Sequence, residues 1–138
     1  MATNYKITYK NHCTPQEYIT ENSRWYLDSD IGARLTGTSV VDLSTTQPTY
    51  ATGSLTDVQT VALDGGSTLK FMYVKNTGAS GAGGINIAMG QYDSGGAQAD
   101  GYRIYLAPGE CFASEVRGFT NFIIKSLATT TYEYIKAT

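Results

Sequence analysis

Ser67-Thr68-Leu69-Lys70-Phe71-Met72-Tyr73-Val74-Lys75-Asn76-Thr77-Gly78 opens the stretch, running on to Gly118, whose reading decides the fold. Successive side chains of a strand point to opposite faces, so Leu69, Phe71 and Tyr73 share one face, and Asn76-Thr77-Gly78 ends the run. Farther on, Tyr102, Ile104 and Leu106 alternate before Ala107-Pro108-Gly109-Glu110. Pro presets φ at the second turn position and Gly accepts the positive φ of the third, which predicts a type II turn. Several strands in succession with turns between them, and no catalytic cluster, point to an all-β scaffold.

Working outward, Tyr5, Ile7 and Tyr9 alternate with Lys6, Thr8 and Lys10, as on a first strand with an apolar and a wet face. Thr14-Pro15-Gln16-Glu17 has the form of a helix start and allows one short helix over about 15 to 23. Arg34 to Leu43 reads as a strand, Thr-rich Ser44 to Ser54 with Pro48 as a loop, and Val58 to Leu63 as a further strand. Asp64-Gly65-Gly66-Ser67 closes a tight hairpin, and Gly78 to Gly84 is a mobile, Gly-rich contact loop before the alternating Ile85 to Met89. Asp93 to Gly101 is another loop, followed by strands over Cys111 to Ala113, Asn121 to Ser126 and Thr131 to Lys136. Eight or nine short strands at this spacing predict an antiparallel β-sandwich or jelly roll over residues 34–138, preceded by an N-terminal arm, residues 1–33.

A chain of 138 residues is one domain by size and buries enough surface to hold a core without disulfide or metal. Ten scattered basic residues and a net charge of -2 argue against nucleic-acid binding, which needs clustered Lys and Arg. No apolar run reaches membrane-spanning length, and the opening Met-Ala-Thr-Asn-Tyr-Lys lacks the features of a signal peptide, so synthesis and assembly in a cytoplasm are expected. Cys13 and Cys111 are then expected as free thiols, with Cys111 as a small buried hydrophobe.

The motifs that invite chemistry lack their partners. His12 beside Cys13 has no further ligands for zinc, and adjacent strand residues face opposite ways, which disfavours a Cys-His pair. Gly78 to Gly84 leads into a strand, not the helix that a phosphate loop requires. Asp93 and Asp100 are read as solvated turn formers. No catalytic, cofactor or metal residue is assigned, and no enzyme activity is expected. Eleven Tyr against four Phe and one Trp instead suggest surfaces wet in one state and covered in another. Tyr5, Tyr9, Trp25 and Tyr26, which precede the regular strands, are the interface candidates.

Phe71-Met72-Tyr73-Val74-Lys75-Asn76-Thr77-Gly78, Tyr102-Arg103-Ile104-Tyr105-Leu106-Ala107-Pro108-Gly109-Glu110 and Tyr132-Glu133-Tyr134-Ile135 together resemble small β-sandwich structural proteins of tailed bacteriophage virions, over about residues 58–136. The resemblance implies a non-enzymatic virion component, foremost a head decoration (cement) protein. Its partners would be the major capsid protein or other virion subunits, and it would form a homo-oligomer such as a trimer. A neck, tail or baseplate component is the alternative within that class. A carbohydrate-binding or receptor-binding jelly-roll module is the alternative outside it.

Overall fold

The alternation in the sequence is realised as strands throughout the computed structural model, which describes residues 3–56, 60–62, 69–90, 102–116 and 121–138. In chain order these are β1 (Tyr5–Cys13), β2 (Gln16–Ile19), β3 (Arg24–Leu27), β4 (Leu35–Ser44), β5 (Thr49–Leu55), β6 (Thr60–Ala62), β7 (Phe71–Asn76), β8 (Ile85–Gly90), β9 (Tyr102–Leu106), β10 (Cys111–Glu115), β11 (Asn121–Ser126) and β12 (Thr130–Ala137). Among the described residues there is no helix. The chain divides into two compact units, Lys6–Val40 and a second made of Met1–Tyr5 with Val41–Thr138, and the division falls inside β4.

The larger unit holds two four-stranded antiparallel sheets, ordered β10-β7-β12-β5 and β6-β11-β8-β9. Their pairings nest: β5 with β12, β6 with β11, β7 with β10 and β8 with β9. Such nesting is what one long antiparallel hairpin produces when it rolls up, with β12·β7 and β11·β8 joining the coils side by side. Eight strands wound this way into two sheets make a jelly roll, which settles the choice the sequence left open.

Between the sheets lie Leu55, Met72, Val74 and Tyr132 from one side and Ile85, Ile87, Leu106, Phe122 and Ile124 from the other. On β7 the cluster takes the even positions Met72 and Val74, so the 71/73 face is the outer one. Phe71 is nonetheless buried, opposite buried Ala137. At the end of β7 the inward residue is Asn76, fully buried and satisfied by four hydrogen bonds. Its amide donates to the carbonyls of Gly83 (2.9 Å) and Leu106 (3.1 Å), and its Oδ1 accepts from Gly78 N (3.0 Å) and Thr130 Oγ1 (2.7 Å). One side chain therefore ties together the ends of both sheets, and no buried side-chain N or O among the described residues lacks a partner. The backbone of Asn76 also grips the Pro-Gly turn, donating to Glu110 O at 3.0 Å and accepting from Gly109 N at 2.7 Å.

That turn is as the sequence predicts. Gly109 has φ +90°, Glu110 N donates to Ala107 O at 2.9 Å, and the Glu110 carboxylate accepts from Ala107 N at 2.7 Å. Other expectations need correction. The short helix over 15 to 23 is a β-hairpin, because the groups of its supposed cap bond elsewhere. Thr14 Oγ1 pairs with His12 Nε2 (2.9 Å), Pro15 O accepts from Asp28 N (3.0 Å) and Glu17 Oε1 accepts from Ser29 N (3.3 Å). Ser44 to Ser54 is not a continuous loop, since from Thr49 the chain pairs residue for residue with β12 as β5. The segment over residues 78–84 is tied down at its two ends: besides the Asn76 bonds to Gly78 and Gly83, Gly83 N donates to Thr129 O at 3.0 Å, and the Ala128 backbone occupies the space a Cβ at Gly83 would need. The Asp64–Ser67 turn and the Asp93–Gly101 loop, with Asp93 and Asp100, lie outside the described residues. Both cysteines are free, and Cys111 is exposed at the start of β10 rather than buried.

Candidate interaction surface

The smaller unit, Lys6–Val40, places its aromatic side chains by strand register. In the β2–β3 hairpin Gln16 stands opposite Leu27, Glu17 opposite Tyr26, Tyr18 opposite Trp25 and Ile19 opposite Arg24. Directly opposed residues share a face, so Gln16, Tyr18, Trp25 and Leu27 lie on one side and Glu17, Ile19, Arg24 and Tyr26 on the other. The first face is open to solvent: Trp25 is 64 % exposed, Tyr18 48 % and Leu27 36 %. The Tyr18 and Trp25 rings pack against each other, with centroids 5.3 Å apart and planes tilted by 55°. This pairing holds both rings in place while leaving apolar area uncovered, the arrangement found where large side chains await a partner.

Hydrogen bonds fix the hairpin at both ends. At its tip Asn22 N donates to Ile19 O (3.1 Å) and Ser23, with φ +50°, donates to Thr20 O (3.2 Å). At its base the Asp28 carboxylate accepts from Asp30 N and Ile31 N, both at 3.0 Å, and Asp28 O accepts from Gly32 N at 2.7 Å. The same unit also exposes Ile31, Leu35 and Val40.

Of the four interface candidates, Trp25 is the one on the open hairpin face. Tyr26 is half-buried on the opposite face, and Tyr5 and Tyr9 are half-buried on the alternating face of β1. Tyr18 is the residue that sequence reasoning missed, because a helix over 15 to 23 hides its relation to Trp25. Reading Gln16 to Ile19 and Arg24 to Leu27 as strands around Thr20-Glu21-Asn22-Ser23 would have paired them.

His12 is exposed and borders a cleft of about 280 Å³ lined by Lys10, Asn11, Thr36, Gly37 and Thr38. Among the described residues no three His, Cys, Asp or Glu side chains gather as a metal site would require. In the jelly roll the polar feature of note is Glu133, whose two carboxylate oxygens each accept a 3.0 Å hydrogen bond, one from Tyr50 and one from Tyr73. Burial, aided by that bond and the carboxylate's charge, pushes the Tyr73 phenol up from 10.0 to about 12. The exposed Tyr50 is also raised, chiefly by its bond to Glu133.

No protein-family model and no curated protein matches this chain. Two solved structures are similar to it in fold. The prophage-derived protein YomS of SPBc2 is 14 % identical, with a TM-score of 0.40, over 67 % of this chain and 96 % of that one. The Yersinia pseudotuberculosis-derived mitogen is 13 % identical, with a TM-score of 0.38, over 67 % of this chain and 86 % of that one. One of these neighbours is thus a phage-derived protein and the other a mitogen, and likeness at this level says nothing of what this chain binds. No helix among the described residues is long and apolar enough to cross a membrane.

Proposed function

We propose that this protein is a non-enzymatic structural subunit of a tailed-phage particle, a decoration protein that docks on assembled heads through the Tyr18–Trp25 face of its N-terminal unit. The observation that carries the reading is that face, a hydrogen-bonded hairpin presenting Trp and Tyr to solvent beside Leu27. Trp and Tyr dominate the energetics of protein interfaces, since a large ring buries much area while losing few rotamers. The jelly roll supports the same reading as a platform: its core is closed, its buried polar groups are paired, and Asn76 and Gly109 give a structural account of the Asn-Thr-Gly and Pro-Gly-Glu motifs on which the virion resemblance rests. A subunit that binds only the assembled shell stabilises it by mass action, without chemistry.

Addition of purified protein to preassembled empty heads tests the proposal. Saturable binding with increased heat resistance of the heads is expected. Co-purification with tails and no binding to heads overturns the head assignment, and saturable binding to a glycan array without binding to any particle component overturns the structural one.

A further inference from the structure

Among the described residues, the two four-stranded sheets leave four edge strands, β10 and β5 in one, β6 and β9 in the other. An edge presents unpaired backbone N–H and C=O groups, and soluble proteins blunt it with short strands, charges, prolines or bulges. Three of the four edges carry such a device. β6 is three residues long, the pairing of β9 is broken by a register shift at Ile87/Ala88, and β10 ends in the exposed carboxylate of Glu115. β5 has none. Its seven residues, Thr49-Tyr50-Ala51-Thr52-Gly53-Ser54-Leu55, include no charge and no proline, and they pair with β12 in unbroken register from Thr49↔Lys136 to Leu55↔Thr130. Thr49, Tyr50, Thr52 and Ser54 are exposed.

We infer that β5 is the seam of a two-fold dimer, in which the β5 strands of two copies pair antiparallel about Thr52 and join their sheets into one of eight strands. A second copy is the occupant because the strand is complementary to itself. With Thr52 opposite its own counterpart, Tyr50 meets Ser54, Ala51 meets Gly53 and Thr49 meets Leu55, so at the centre of the seam small residues oppose one another on the inner side and hydroxyls on the outer. Thr–Thr pairs on a sheet face are favourable, and no like charges meet anywhere along the seam. An isologous contact of this kind closes on itself, so it consumes the edge without propagating into fibres. The inference goes beyond the docking role, since it uses a different unit of the chain and no aromatic from the Tyr18–Trp25 face.

Sedimentation of the purified protein, without heads, tests it. The wild type is expected at twice the chain mass of 14.9 kDa. Thr52 stands opposite Glu133 of its own β12, so Thr52→Glu adds to a carboxylate already on that face and is expected to be a folded monomer, whereas Thr52→Lys is partly neutralised by Glu133 and is expected to weaken the dimer less; an equimolar mixture of the two is expected to restore the dimer. A position-specific check uses a Cys13→Ser, Cys111→Ser background: oxidised Thr52→Cys forms a covalent dimer, as directly opposed residues lie within disulfide reach, whereas Ser54→Cys does not. A monomeric wild type, an oligomer that both charge substitutions leave intact, or a Ser54→Cys cross-link in place of the Thr52→Cys one overturns the inference. Loss of head binding with the dimer intact would count against the docking proposal alone.

Discussion

Thr130 Oγ1 donates a 2.7 Å hydrogen bond to the buried Oδ1 of Asn76, fifty-four residues away in the chain. Because Asn76 also satisfies the carbonyls of Gly83 and Leu106, its removal leaves several buried groups unpaired at once. Asn76→Ala is expected to cost about 3 kcal/mol or more, and Thr130→Val about 1 to 2 kcal/mol, since the latter strands only one acceptor lone pair. Urea unfolding of the two single variants and the double variant measures this. The double should cost less than the sum, as both changes break one network; strict additivity would mean that the bond contributes nothing.

Gly109 offers a test of backbone strain free of packing. Its φ is +90° and nothing lies within 4 Å of where a Cβ would sit, so a side chain there meets open space. Gly109→Val is expected to lower stability by about 1 to 2 kcal/mol through the dihedral alone, with Gly109→Asn losing less because Asn tolerates positive φ. Thermal unfolding decides it: equal midpoints for Val and Gly would contradict the turn geometry.

The opposite case is Gly53, which stands directly across from Tyr132 with the phenol ring lying in the space of the missing Cβ. Gly53→Ala forces that ring out of its place beside Tyr134, with which it stacks at 6.1 Å. A loss of about 1 to 3 kcal/mol is expected, the range for overpacking a filled core, although alanine suits an extended strand better than glycine does. A stabilised Gly53→Ala protein would show that the ring gives way freely.

What the sequence makes legible follows from how local each cause is. The Pro108-Gly109 turn needs only four consecutive residues, and its type, φ and hydrogen bond can be read directly. Asn76 ends its strand visibly, yet its role depends on partners up to fifty-four residues away, which no local pattern encodes. β5 reads as a Thr-rich loop because its strand character comes from the register with β12. At Thr14 to Glu17 the chemistry of a helix cap is present, but Asp28 and Ser29 draw Pro15 O and Glu17 Oε1 into a hairpin. Trp25 could be picked out from composition as an interface candidate, whereas Tyr18 joins it on one exposed face only through the register that sets the two opposite each other.

The Tyr50–Glu133–Tyr73 cluster implies an alkaline limit to stability. Tyr73 is held neutral, its folded value of about 12 standing above the ordinary 10.0, so the folded state resists losing this proton more than the unfolded chain does. The contribution is fully present below pH 10.0 and is lost as the pH rises toward about 12, with the raised Tyr50 adding to the same trend. Tyr73→Phe should flatten the fall in the urea midpoint across this window. An unchanged slope would assign the alkaline loss to other tyrosines.

Docking through the hairpin face makes a prediction that separates binding from folding. Trp25 and Tyr18 are exposed, so their truncation removes little buried area from the free protein, whereas at a complementary surface each ring would be covered. Trp25→Ala is expected to weaken head binding by about 2 kcal/mol or more, roughly thirty-fold, and Tyr18→Ala by about 1 kcal/mol. Both should leave the thermal midpoint of the free protein nearly unchanged. Tyr26→Ala, on the opposite and half-buried face, should do the reverse, lowering stability while sparing affinity in whatever protein remains folded. Point substitution is preferable to deleting residues 1 to 12, because that deletion removes most of β1 and with it the pairing to β4. Sedimentation of heads with each variant, read beside its unfolding curve, decides the matter: if Trp25→Ala and Tyr18→Ala bind and protect heads as the wild type does, the hairpin face is not the anchor.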